Sequence, residues 1–196
     1  LPSQMLSGCS QNQPDHSQPS QSVQHEQSSS FPGSLPSSPP ALKAKTTPVP
    51  DWSYNATIYE VNVRQYTKEG TFKAFEQHLP RLKDMGIKIL WFMPIYPISV
   101  KKRLGTLGSY YSISDYKNVN PEFGTLEDFK SLVDKCHEMG FKVMLDWVAN
   151  HTGWDHAWIK DHKEWYTQDA NGNIVIPPST NWQDVADLNF NNRDMR

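Results

Sequence analysis

The chain has 196 residues, with 19 basic and 21 acidic side chains and a formal net charge of -2. That balance provides no cationic face for a polyanion, so nucleic acid is excluded as an expected partner. Hydrophobic residues make up 37%, enough for a core over part of the chain, and no apolar run reaches the roughly 18 residues of a membrane span.

Residues 1 to 50 are dominated by Ser, Gln and Pro and are too poor in apolar side chains to offset their ordering entropy. They are expected to form a disordered tether. Within them, Leu6-Ser7-Gly8-Cys9 resembles the lipobox that ends a bacterial lipoprotein signal peptide. On that reading Cys9 is lipidated and anchors the protein to the bacterial cell envelope, at the outer membrane or cell surface; a secreted or periplasmic protein is the alternative. Only Leu1 to Met5 precede the motif, so an apolar signal core is missing, and a plain polar tail is the other reading. The second cysteine, Cys136, falls on the apolar side of a predicted helix and reads as a buried free thiol.

From Asp51 the composition changes. Ile58 to Arg64 alternates and reads as a strand. Phe72, Phe75, Leu79, Leu82 and Met85 follow at helical spacing, with Gly86 as stop; Pro80 inside the pattern predicts a kink or a late helix start. Ile87 to Met93 is a second strand, ended by Pro94. A long loop runs from Ile95 to Gly124, and loops of that length in compact domains are usually functional. Thr125, with Asp128 three residues on, marks a capped helix whose apolar stripe is Phe129, Leu132, Val133 and Cys136. Gly140 ends it, and Phe141 to Leu145 reads as a third, buried strand. Strand, helix, strand, helix, strand predicts βα units on a parallel sheet.

The third strand runs into Asp146-Trp147-Val148-Ala149-Asn150-His151. The carboxyl ends of parallel strands carry the chemistry in such folds, so this stretch is the first candidate site. The chain holds 7 Trp, 8 Tyr and 8 Phe. Flat rings suit the C–H faces of sugars, although core packing accounts for most aromatics. Trp154, Trp158 and Trp165 fit either role. Asn171-Gly172 reads as a tight turn and Lys101-Lys102-Arg103 as a solvated loop.

Several of these stretches, in this order, resemble the α-amylase family, glycoside hydrolase family 13. Asp146 to His151 resembles its first conserved region, and Tyr111-Ser112-Ile113-Ser114-Asp115-Tyr116 its Tyr-x-x-x-Asp-Tyr stretch. Val119 to Thr125, Trp91 to Ile95 and Asp184 to Asn189 resemble further family segments. The resemblance covers about residue 52 to Arg196. It implies the N-terminal part of a (β/α)8 barrel over 51–151 and the start of an inserted loop domain over 152–196. It also implies retaining cleavage of α-glucosidic bonds by an Asp nucleophile and a Glu acid/base.

The family's nucleophile and acid/base patterns do not occur within 1–196, and the resemblance places both residues beyond Arg196. About 145 residues of barrel-like sequence stand against ~250 for a whole barrel, so this stretch alone is expected to be inactive. By resemblance, His151 donates to sugar hydroxyls, Tyr111 (one residue beyond Tyr110) stacks on the same ring, and Asp146 supports the site. Asn150 and Asp187 are candidate ligands of a structural Ca²⁺, with further ligands expected after Arg196. The expected partner is an α-glucan or maltooligosaccharide. A non-catalytic sugar-binding or scaffold relative, or a transglycosidase or isomerase on the same fold, are the alternatives.

Overall fold

The computed structural model describes residues 48–196. The proposed lipidation at Cys9 and the tether it would anchor lie outside the described residues.

The first strand is β1 (Ile58–Val61), shorter than the alternation predicts. The Asn62 side chain accepts the Gln65 amide at 3.3 Å and caps a single turn, α1 (Val63–Tyr66). This local bond diverts the backbone from the extended path, and Val63 and Arg64 become helical rather than strand. The next helical pattern splits into α2 (Phe72–Glu76) and α3 (Leu79–Asp84). Pro80 sits in the first turn of α3, where its missing N–H costs nothing. It therefore starts a helix, as the late-start reading requires. Gly86 (φ 81°) and, after the next helix, Gly140 (φ 87°) take the left-handed conformation that closes helix ends.

β2 (Ile89–Phe92) runs parallel to β1, with Val61 opposite Phe92. α4 (Leu126–Glu138) opens on a full capping box: Thr125 Oγ1 accepts the Asp128 amide at 3.1 Å, and the Asp128 carboxylate accepts the Thr125 amide at 2.9 Å. Phe129, Leu132 and Cys136 are buried on the stripe predicted for them. Burial pushes the Cys136 thiol up to about 12, so it is an inert apolar filler. β3 (Lys142–Leu145) then pairs parallel with β2, giving the sheet order β1-β2-β3.

The first core lies between this sheet and its helices. Phe75 meets Phe92 edge-on at 5.4 Å, and Phe129 bridges Phe72 and Phe92 at 5.1 and 6.0 Å. β3 departs from its predicted burial. Phe141 is enclosed, but Met144 and Leu145 are 40% and 39% exposed. Among the described residues β3 pairs only with β2, which makes it, like β1, an edge strand of the sheet.

Beyond β3 the chain builds a second, smaller core. β4 (His151–Gly153) and β5 (Val185–Asp187) pair antiparallel, with His151 opposite Asp187. Trp154, Tyr166, Ala186 and Leu188 fill this core, with Trp158 and Trp165 packed on it. All three tryptophans therefore take the packing role, and Trp158 also borders a surface hollow with Tyr116 and Phe190. The Asn171-Gly172 turn forms as predicted: Asp169 Oδ1 accepts the Asn171 and Asn173 amides, and Gly172 takes φ 78°. No helix among the described residues is long and apolar enough to cross a membrane.

Candidate functional site

The site begins with the long loop between β2 and α4, which is tied to β4 at several points. The Ser99 amide donates to Ser112 O at 2.7 Å, and the Gly153 amide donates to Ile113 O at 2.7 Å. Gly153 lies so close to Ser99 that a Cβ there would overlap the serine side chain. Asp155 Oδ2 accepts the Val100 and Lys101 amides at 2.8 and 3.1 Å.

The basic run is only partly the solvated loop expected of it. Arg103 donates to Ser99 O and Ile98 O at 2.8 and 2.9 Å, and Lys102 Nζ sits 3.4 Å from the centre of the Trp154 ring. From the other side, Arg64 donates to Gly108 O and Leu107 O at 3.2 and 3.3 Å and covers the Tyr110 ring at 4.4 Å. A segment without regular secondary structure is thereby tied to the rest of the fold from two sides.

This loop presents Tyr111. Its hydroxyl donates to Asp146 Oδ2 at 3.0 Å, at the carboxyl end of β3. Tyr110, by contrast, is turned into the protein under Arg64, so the geometry distinguishes the two neighbours. Burial, followed by the Asp146 hydrogen bond and the charges of Asp146 and Glu60, pushes the Tyr111 phenol up to about 12. Asp146 thus meets a tyrosine hydroxyl rather than a second carboxyl group across an open gap.

His151 is 6% exposed. Asn150 Nδ2 donates to its Nδ1 at 3.0 Å, which leaves the proton of the neutral ring on Nε2. That Nε2 is enclosed and has no hydrogen-bond partner among the described residues. Burial lowers the His151 pKa; the Tyr111 main chain and the Asp184 and Asp187 carboxylates oppose it. The ring is therefore a neutral donor. Tyr116, from the same loop as Tyr111, places its hydroxyl 2.7 Å from Val148 O and 2.8 Å from His151 O. It clamps the turn that leads from β3 into β4.

Tyr111 and His151 line one open cleft of about 690 Å³, together with Leu104, Trp182 and Asp184. The Trp182 and His151 rings meet edge to face at 5.7 Å. Sequence reasoning found Tyr111, His151 and Asp146, and the structure brings all three to one end of the sheet. It passed over Trp182 and Leu104, which carry no motif, and Tyr116, which it read only as part of a stretch. Arg196, the residue beyond which the nucleophile and acid/base are expected, is not part of this cleft. It lines a separate hollow with Tyr116, Trp147 and Phe190.

Asn150 just precedes β4 and Asp187 ends β5, where Asn150 O accepts the Leu188 amide at 3.1 Å. The bond to His151 uses the Asn150 amide nitrogen and leaves its oxygen uncommitted. The Asp187 side chain is buried nearby in the strand pairing. Two oxygen ligands of a hard cation can come from here, against the six to eight that Ca²⁺ takes. Among the described residues no group of three His, Cys, Asp or Glu side chains converges as a metal site.

A parallel βα sheet thus carries, at the carboxyl end of β3, a carboxylate bonded to a loop tyrosine, and a neutral histidine lines one cleft with that tyrosine. The chain belongs to the α-amylase family: the model of the alpha amylase catalytic domain matches residues 28–187. Its βα units are the N-terminal part of that family's barrel. The chain is 33% identical over 171 residues to Alpha-amylase 3 of Dictyoglomus thermophilum, covering 74% of this chain and 32% of that protein. It is 35% identical over 120 residues to the trehalose synthase of Thermus thermophilus, covering 59% and 12%. The crystal structure of an alpha-amylase from Lactobacillus plantarum superposes with a TM-score of 0.70 at 47% identity, covering 72% of this chain and 33% of that one. The chain therefore spans a third or less of each of these proteins.

Proposed function

We propose that these residues form the substrate-gripping part of an enzyme that cleaves α-glucosidic bonds in α-glucans or maltooligosaccharides with retention. The observation that carries this reading is the pairing of Tyr111, fixed by Asp146, with the neutral donor His151 in one cleft. In this reading the Tyr111 ring packs on a sugar face. The His151 Nε2–H, which has no partner among the described residues, supplies the donor for a sugar hydroxyl, and that bond aids turnover most if it tightens as positive charge develops on the sugar. Asp146 holds Tyr111 and does not attack the sugar.

In the same reading the nucleophile and the acid/base lie beyond Arg196, so cleavage needs the whole protein. Saturable maltooligosaccharide hydrolysis by residues 1–196 alone would overturn this assignment. Hydrolysis by the whole protein that is lost in His151→Ala supports it. The similarity to a trehalose synthase favours a second reading, in which the acceptor is another sugar rather than water. Product analysis by chromatography separates the two. A non-catalytic sugar-binding role is the outcome if the whole protein binds maltooligosaccharides without turning them over.

Asn150 and Asp187 would hold a structural Ca²⁺ between the sheet and the second core, with further oxygens from outside this pair. A lipid on Cys9 would place the enzyme at the bacterial envelope; radiolabelled palmitate incorporation, lost in Cys9→Ser, tests it.

A further inference from the structure

Asn171-Gly172 is the only Asn-Gly pair in the chain. It sits at the tip of a hairpin closed by the bridge between Gln168 and Ile174, and neither residue lines the cleft. The Gly172 amide donates to Asp169 O at 2.9 Å and completes a four-residue turn. Asp169 holds that turn shut. Its Oδ1 accepts the Asn171 and Asn173 amides at 2.9 and 2.8 Å, and its Oδ2 accepts the Asn173 side-chain amide at 3.1 Å.

The Asn171 side chain is exposed and forms no hydrogen bond among the described residues. Its neighbour in space differs: the Asn173 carboxamide is committed to Asp169. A free carboxamide followed by glycine is an electrophile beside an unhindered nucleophile, because Gly172 has no Cβ to block the approach of its main-chain nitrogen. When that nitrogen attacks Asn171 Cγ, the N–Cγ bond forms and the Cγ–Nδ2 bond breaks. The Gly172 amide proton leaves with Nδ2 as ammonia. Water then opens the cyclic imide at one of its two carbonyls, giving aspartate or isoaspartate. In the closed turn the Gly172 N–H is committed to Asp169 O, so the reaction waits for the tip to open, a motion that exposed loop tips undergo at small cost.

We propose that Asn171 is a site of spontaneous deamidation and that Asp169 is the residue that restrains it. The change matters beyond the tip because the two arms of the hairpin hold β5. The Thr167 amide donates to Asp187 O and the Asp187 amide to Val175 O, both at 3.0 Å, and Asp187 pairs with His151. An isoaspartate at 171 lengthens the main chain by one carbon in the hairpin that supports this strand pair.

The test is peptide mapping by mass spectrometry of the whole protein, incubated at mildly alkaline pH both native and in guanidinium chloride. Isoaspartyl methyltransferase distinguishes isoaspartate from aspartate. Conversion at Asn171 is expected in both states, roughly tenfold slower in the native protein, the factor set by a local opening well below global unfolding. Asp169→Ala should remove most of that difference and leave the unfolded rate unchanged. Asp169→Asn, which keeps one acceptor oxygen for the two amides, should give an intermediate native rate and serves if the alanine variant does not fold. No native conversion after the unfolded chain has fully reacted would overturn the site. Equal native and unfolded rates, or native rates that neither Asp169 variant changes, would overturn the restraint.

Discussion

The Tyr111 hydroxyl donates to Asp146 across 3.0 Å, joining the tip of the long loop to the carboxyl end of β3. This bond is the direct link between the ring proposed to carry the sugar and the sheet that carries the ring. It also accounts for part of the raised phenol pKa, after burial.

The first prediction follows from that pKa. A phenol raised to about 12 in the folded protein and near 10 when unfolded favours the native state while it is protonated. The stabilisation is complete below about pH 10 and is lost as pH rises toward 12. Asp146→Asn removes the carboxylate charge and should lower the Tyr111 midpoint in an ultraviolet phenolate titration. An unchanged midpoint would mean that burial alone sets it.

His151 carries the opposite pH signature. Its folded pKa lies below the ordinary 6.5, so the unfolded chain takes up a proton first as pH falls. The stability from the neutral ring is present above about pH 6.5 and is lost on acidification through the lower folded value. His156 is lowered by burial in the same direction. His151→Gln should flatten, without abolishing, the acid-side fall of Tm, as read by circular dichroism melts from neutral to acid pH.

Tyr116→Phe deletes one hydroxyl that serves two carbonyls, Val148 O and His151 O. Leaving these acceptors unmet at a half-buried turn should cost about 1–3 kcal/mol. Urea unfolding should show a lower midpoint with an unchanged slope, and maltotriose KM should rise because the turn carries His151. A neutral result would mean that water replaces the hydroxyl there.

Gly153 and Ser99 form a size-matched pair at the seam between loop and β4. Gly153→Ala should destabilise by about 1–3 kcal/mol through overpacking. Adding Ser99→Gly should recover much of it, because the two positions share one contact. Additive losses in denaturant melts would place the strain elsewhere.

If Asn150 and Asp187 hold Ca²⁺, a chelator should lower the Tm of the whole protein, and added Ca²⁺ should restore it. Asn150→Ala should abolish that response.

Legibility in the sequence followed the range of each interaction. The Thr125–Asp128 capping box spans one helical turn and was readable from residue types alone. The end of β1 was misplaced, because alternation continues through Val63 while the Asn62 cap, one local bond, overrides it. The burial of β3 was overestimated because an apolar run reveals a strand but not whether its far side is covered. Tyr111, Asp146 and His151 were reached through motif resemblance. Trp182 was not, because its significance lies in its place beside His151 across the cleft, which no spacing encodes.

The bond from Ser112 Oγ to Asp184 O closes the cleft between residues 72 apart in sequence. Contacts of such separation incur their loop-closure entropy before they return any stabilisation, so they form late on the folding route. The helical turns and the capping box, made between neighbouring residues, are expected to assemble early, and the cleft near the end. Substitutions at Ser112 will therefore register mainly as faster unfolding, with the refolding rate almost untouched.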